Sequence, residues 1–431
     1  MKKTVLNCFL IFLISLIASC DNKNEALPIN VIPLESAVGK YQILNLSDYS
    51  TEIKYIPLET NDSALIGTIT QINYENEKIF IKSISGNLVS HCYLFDNSGM
   101  FSRKIGQYGQ GPDDYLTLPG RGGGLFENFI YLVDTQQKKL LVYDTAGLLA
   151  NNVKLRTNET SEKKSKYENY SIQQVFPLKK DTFAMNVVSF SGYYPKAILL
   201  EATDQPYSKT IKEYTNYVKL DKRPGYSFVE TGFMYRFRDN MRIYKALNDT
   251  VFTIGQNTEM KDAFIFELGK YRPPISLIEE RGEESGDDFD NYITPSDIFE
   301  SSNHLFIRFV TGIYTHEPFE IISNSGWKYM NNITYGVFDK FTGELTLMGQ
   351  PIKGKLGFKN DVDNGPVIWP HYISSNNELV TYISAEGFLD YYSKIKDPTP
   401  QMTEIAKNVK PDDNQIVIIA KLKEKNHDSA D

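Results

Sequence analysis

Cysteine is nearly missing from this chain of 431 residues: only Cys8, Cys20 and Cys92 are present. Cys8 lies in an apolar leader and goes with it, and a lipid on Cys20 leaves Cys92 as the one free thiol. Export of such a chain brings no disulfide framework. Cys92, in the strand-like run Ser90 to Phe95, is expected to be a buried, inert small hydrophobe. The histidines His91, His304, His316, His371 and His427 form no His-x-x-x-His pair. With thiols so scarce no zinc signature exists, and neither a metal nor a cofactor is expected. No Gly-x-Ser-x-Gly elbow offers a nucleophile. No strongly basic run occurs and the formal net charge is −8, so a nucleic-acid partner is not expected, because such binding draws on clustered Lys and Arg. Long helical periodicity is missing as well, which weighs against an α/β enzyme fold.

Aromatic residues, by contrast, are abundant. With 28 Tyr, 25 Phe and 41% hydrophobic residues, the composition supports a large packed core and favours strands, where flat and β-branched side chains pack on a pleated surface. The first residues have a positive start (Lys2, Lys3), an apolar stretch from Val5 to Ile17, and the ending Leu16-Ile17-Ala18-Ser19-Cys20. The stretch is short for a permanent span, which needs roughly 20 apolar residues. Its ending resembles a lipobox, in which small residues admit a peptidase and the cysteine thiol receives a diacylglycerol. Residues 1–19 are therefore expected to be a lipoprotein signal peptide with lipidation at Cys20. Residues 20–45, polar and aperiodic with Pro28 and Pro33, are expected to be a tether.

The rest of the chain repeats. Ile79-Phe80-Ile81 is followed by Tyr93-Leu94-Phe95-Asp96-Asn97-Ser98-Gly99, and Ile130-Tyr131-Leu132 by Leu141-Val142-Tyr143-Asp144-Thr145-Ala146-Gly147. The two units lie about fifty residues apart, near the spacing of propeller blades. Each reads as strands around an Asp-x-x-Gly turn, where Asp can bond its own backbone and Gly can take positive φ. A third copy ends at Tyr335-Gly336-Val337-Phe338-Asp339 with Gly343 closing its turn. Less regular strand-rich units occupy Gln173 to Glu201, Phe228 to Ile254, Leu305 to Met348 and Glu378 to Leu422, with insertions at Arg156 to Asn169 and Ile275 to Asn291. The expected fold is an all-β, six-bladed β-propeller over residues 46–423 with a polar tail at 424–431. Its ring would close where Gln415 to Ala420 meets the early run Glu52 to Leu58, since a ring leaves no long edge exposed.

The segments Leu46-Ser47-Asp48 to Tyr55-Ile56-Pro57-Leu58-Glu59-Thr60, Lys104 to Tyr115, and Asp361 to Trp369-Pro370 resemble the six-bladed β-propeller lipoproteins abundant in Bacteroides-type gut bacteria. The resemblance runs from about Leu46 to Lys423 and is looser in the middle and late units. It implies the fold and a cell-envelope location, lipid-anchored at the outer membrane on the periplasmic or surface side. It brings no catalytic residues.

Several local motifs carry candidate chemistry. Closely spaced glycines at Gly106, Gly109 and Gly111 can offer backbone N–H groups to an anion, but no Lys-Ser or Lys-Thr follows Gly111. The run is read as an inter-blade crossing or a ligand-facing loop, with Tyr108 and Tyr115 as contacts in the second case. Asp361, Asp363, Asn364 and Gly365 imitate part of a calcium loop, yet Tyr372 stands where the bidentate acid belongs. A tight turn or a weak cation loop are the two readings. The acidic run Glu279, Glu280, Glu283, Glu284, Asp287, Asp288 and Asp290 is expected to be solvated. The same is expected of Arg236, Arg238 and Arg242. Trp327 and Trp369 are expected in the core, with sugar stacking as the alternative.

The expected function is a lipid-anchored, non-enzymatic binding module whose partners are the membrane, through its lipid, and a glycan, peptide or envelope protein at the ring's loop face. The alternative is a hydrolase or lyase acting on a saccharide with carboxylates at the channel mouth. A third reading is a structural subunit of an outer-membrane complex.

Overall fold

The first repeated unit forms a four-stranded antiparallel sheet of Thr68–Glu75, Lys78–Ile84, Ser90–Asp96 and Phe101–Lys104. Its turns follow from its residues. Asn76 and Glu77 both take positive φ, 48° and 58°, the geometry that matches the twist of a two-residue hairpin. At the second turn, Asp96 Oδ1 accepts the Ser98 and Met100 N–H groups at 2.9 and 3.1 Å while Gly99 sits at φ 88°. Asp144 with Gly147 and Asp339 with Gly343 repeat that turn in later units.

The computed structural model describes residues 30–155, 170–189, 196–201, 207–216, 232–245, 248–275, 287–322 and 326–424. Six sheets of this kind form a six-bladed β-propeller. The second blade spans Gly124–Phe126 to Leu149–Lys154, the third Tyr170–Lys179 to Lys209–Tyr214, and the fourth Phe233–Phe237 to Met260–Phe266. The fifth blade holds Thr294–Glu300, His304–Val310, Ile333–Asp339 and Leu345–Met348. The sixth combines Tyr372–Ile373, Glu378–Ile383 and Ile416–Leu422 with Ser50–Pro57 from the front of the chain. Ile416 pairs with Pro57 and Lys421 with Glu52, antiparallel, so the ring is closed by strands from the two ends of the propeller.

Blades are held together by apolar side chains that meet between the sheets. Phe80, Cys92 and Leu94 of the first blade pack with Tyr115 of the crossing segment and with Leu125, Ile130, Leu132, Leu141 and Tyr143 on the second, each large side chain contributing about 1.5–3 kcal/mol by leaving water. Burial there pushes the Cys92 thiol up to about 12, the inert state expected of it.

The segment expected to be a tether departs from that reading. From Asn30 on it is part of the fold: Asn30–Ile32 adds a parallel strand to the outer edge of the fourth blade, and Tyr41–Gln42 does the same on the fifth. Between them Leu34 is fully buried. Polar composition hid this because an edge strand needs only backbone hydrogen bonds and a few apolar anchors. Two helices also escaped the sequence reading. Ala385–Tyr392 and Pro400–Asn408 lie between strands of the sixth blade, capped by Ser384 and Thr399, and they bury Phe388, Met402 and Ile405. Each is too short to display a sustained period. No helix among the described residues is long and apolar enough to cross a membrane. Cys20, the insertion at 156–169 and Glu279, Glu280, Glu283 and Glu284 lie outside the described residues.

Candidate functional site

The first strand of every blade lines the ring's axis, and the turns that follow these strands gather at one end. That end is a mouth of about 320 Å³ bordered by Asn76, Glu127, Arg238, Ser302, Ser375 and Asn377. Deeper in, Gln71, Arg121, Tyr235, Asp297, His371 and Tyr372 enclose a narrower, more apolar section of about 130 Å³.

Five carboxylates line the channel: Glu127 and Asp239 are exposed at the rim of the mouth, and Glu75, Asp297 and Glu300 lie along the axis, each engaged by the protein. Glu75 accepts the Tyr372 hydroxyl at 2.6 Å, the Ser375 N–H at 2.9 Å, and the Ser375 hydroxyl. Asp297 receives the Arg121 guanidinium on both oxygens. Glu300, with a side chain wholly buried, takes Arg242 at 2.9 and 3.0 Å and Lys340 at 2.7 Å. Burial opposes its ionisation, but Lys340 and Arg242 outweigh burial and hold its pKa below the ordinary value. Burial lowers His371 to about 4, and the nearby Arg121 pushes the same way. The ring is therefore neutral at pH 7, with Nδ1 2.8 Å from Thr381 Oγ1. Tyr235 and Tyr372 are raised well above 10 by burial and by Glu300 and Glu75 respectively.

Arg236 lays its guanidinium 3.6 Å from the Phe126 ring centroid and donates to the Pro177 carbonyl at 2.7 Å. Arg238 donates to Ser302 Oγ at 3.3 Å. Among the described residues, three buried polar atoms along the axis have no hydrogen-bond partner: Asn377 Nδ2 at the mouth, and Gln71 Oε1 and the Tyr235 hydroxyl further in. An unpaired buried donor or acceptor costs about 1–3 kcal/mol, so a ligand group that pairs with any of them gains accordingly.

Neither sequence-derived candidate loop reaches this axis. Gly106 to Tyr115 crosses from the first blade to the second and spends its donors on itself: Gly111 N–H and Gln107 Nε2 both bond Asp114, at 2.9 and 2.7 Å. Tyr115 is in the core, its hydroxyl 3.2 Å from the Ser90 carbonyl, so it is not a ligand contact. Gly109 packs against Asp114, Gly106 has φ 62° beside the Tyr143 hydroxyl, and Tyr108 is exposed. In the other loop Asp361 accepts from the Ser47 N–H and hydroxyl at 2.9 and 2.6 Å. Asp363 turns instead to Tyr55 and the Gly365 N–H. Asn364 is in a left-handed turn at φ 56°. The two carboxylates point at different protein donors rather than at a shared centre, so the weak cation loop is a turn. Among the described residues no group of three His, Cys, Asp or Glu side chains is placed to hold a metal ion.

The arginine reading also changes. Arg242 serves Glu300 and Arg236 stacks on Phe126, so of the three only Arg238 is exposed. Trp369 is buried between Tyr335 and Phe358 as expected, while Trp327 is 76% exposed. Sequence reasoning passed over Arg121, Asp297 and Glu300, and met His371 and Tyr372 only as an unpaired histidine and as the residue standing where a calcium loop needs an acid. A usable signal existed for Glu300, which ends the first strand of its unit just before the turn, as Glu75 and Phe237 do in theirs.

The chain belongs to the family described as Domain of unknown function (DUF4934), matched over residues 29–421. No curated protein sequence matches it. Among solved structures, a Bacteroides fragilis protein named as exported is similar at 19% identity and TM-score 0.62, over 92% of this chain and 100% of that one. A member of the DUF4221 family from Bacteroides vulgatus aligns at 10% identity and TM-score 0.48, over 90% and 99%. Virginiamycin B lyase from Staphylococcus aureus aligns at 10% and 0.36, over 86% and 99%. The first likeness concerns the fold alone, and the other two carry no argument about chemistry here.

Proposed function

We propose that this member of the DUF4934 family is an exported lipoprotein, anchored at the outer membrane through Cys20, that binds a glycan at the polar mouth of its propeller without turning it over. The observation carrying this reading is the state of the axial carboxylates. A glycosidase needs one protonated and one ionised acid with room for sugar between them, whereas Asp297 and Glu300 are each tied to cations and Glu75 to hydroxyl and amide donors. The mouth instead offers Asn76, Ser302, Asn377 and Arg238 beside the rings of Phe126 and Phe237. Hydroxyls of a sugar pair with such groups, and its C–H face packs on the rings.

Purified mature protein screened on glycan and peptide panels should bind glycans and leave them intact. Asn377→Ala and Arg238→Ala should each weaken binding by about tenfold, the loss of one or two hydrogen bonds. Turnover that vanishes in Asp297→Asn would replace this reading with an enzyme, and binding only to peptides would replace the ligand class. Mass spectrometry of the membrane fraction tests the anchor: wild type should carry acyl chains on residue 20 and resist a high-salt, alkaline wash, and Cys20→Ser should carry none and be released by that wash.

A further inference from the structure

Between His304–Val310 and Ile333–Asp339 the fifth blade extrudes a small hairpin, Glu320–Ile322 against Lys328–Met330. Its register places Ile321 opposite Tyr329 and Ile322 opposite Lys328. One face then presents Ile321, Tyr329 and, by alternation, Trp327. The other presents Ile322 and Met330 around a Lys328–Glu320 ion pair of 2.9 Å. Trp327, Ile322, Tyr329 and Met330 are all more than half exposed. Beside the hairpin's base, a turn carries exposed Ile352 followed by Lys353 and Lys355, joined to it by Gln350 Nε2 donating to the Glu317 carbonyl at 2.5 Å. Large apolar side chains gathered on a protrusion mark a contact site.

We infer that this hairpin dips into the interfacial layer of a bilayer with anionic lipid. The inference rests on the reading that Cys20 carries the anchor. A flat protein partner would cover one face of a hairpin, whereas these apolar groups lie on both, which suits a medium that reaches both faces. Trp and Tyr favour the headgroup level of a membrane, and neighbouring lysines meet anionic headgroups. The chain's own path supports the same occupant. Residue 30 is already bound to the fourth blade, and the segment then runs to the hairpin's base, where Tyr41 stacks on His316 at 4.3 Å and donates to the Tyr314 carbonyl at 2.9 Å. Ten residues from Cys20 to Asn30 reach at most about 36 Å, so an acyl anchor keeps this edge within a molecular radius of the bilayer. Orientation follows. The hairpin leaves the Val310 end of its strand, while Ser301 and Ser302 at the mouth precede the His304 end. Contact through the hairpin turns the ligand mouth away from the membrane.

Trp327 makes the test direct, because the other tryptophan of the two is buried. The mature chain starting at residue 20, as the unlipidated Cys20→Ser protein, is mixed with vesicles of phosphatidylcholine and phosphatidylglycerol in equal parts. Emission should shift to the blue, brominated phospholipid should quench it, and the protein should sediment with the vesicles. Trp327→Ser with Tyr329→Ser should weaken sedimentation by about tenfold, as expected for removing two large apolar groups, with an unchanged melting temperature. Emission that ignores vesicles, or a double variant that sediments like wild type, overturns the inference. So does a photocrosslinker at position 327 that ignores lipid and captures an envelope protein. Acylation is measured on a separate sample, so failure of the anchor and failure of the hairpin are told apart.

Discussion

Replacing Glu300 by Gln removes one negative charge and leaves Arg242 and Lys340 facing each other. Both cations have side chains only 13% exposed, and the carboxylate between them is fully buried. Breaking a buried ion network from one side costs about 3–5 kcal/mol, since the remaining charges lose their partner without regaining water. Unfolding entropy of about 2.1 cal/mol/K per residue gives about 0.7 kcal/mol/K for the roughly 340 described residues, so the melting temperature should fall by about 4–7 °C. The pH dependence is the sharper signature. Because the folded pKa of Glu300 is depressed, its contribution is fully present above the ordinary glutamate value of 4.5 and is lost as pH falls through the lower folded value. Calorimetry of wild type and Glu300→Gln over a descending pH series should show a gap that narrows below about pH 4.5. A gap that stays constant with pH, or a variant as stable as wild type at pH 7, would refute the claim that charge pairing holds this carboxylate.

His371 supplies a second titration of the same sign at higher pH. Its folded pKa of about 4 lies under the ordinary 6.5, so the unfolded chain takes up a proton that the folded chain refuses, and stability should decline as pH drops from about 6.5 toward 4; His371→Gln should flatten that part of the melting-temperature curve. Two glycines with left-handed backbone should respond unequally to alanine. A Cβ on Gly99 would lie 2.1 Å from the Pro57 carbonyl oxygen, while Gly343 has nothing within 4 Å, so Gly343→Ala should cost about 1 kcal/mol and Gly99→Ala clearly more by denaturant titration. Deleting 415–422 removes the strand paired with both Glu378–Ile383 and Ser50–Pro57; the exposed edges should drive aggregation in light scattering, and a soluble deletion with an unchanged melting transition would contradict closure of the ring through this strand.

What the sequence determined by itself was periodic and local. Strand character, the Asp-x-x-Gly turns at Asp96 and Asp144 with the one-residue-longer turn at Asp339, and the six units were readable from residues a few positions apart, and the meeting of the two end runs followed from the need to close a ring. The N-terminal strands at 30–32 and 41–42 were not, since their partners are backbone atoms more than two hundred positions away. The candidate site was less legible still. Sequence attention went to the glycine-rich run around Gly109 and to Asp361, where unusual residues stand close together, and the fold uses both for turns. The axis is instead built from unremarked side chains such as Gln71, Arg121, Glu300 and Asn377, taken from different blades. Tertiary structure alone decided that Arg242 and Lys340 meet Glu300, that Arg121 meets Asp297, and that Trp369 is buried while Trp327 is not. Charges and rings acquire their roles from what closing the ring sets against them, and one strand's alternation states only that a side chain faces one way or the other, not which partner it meets.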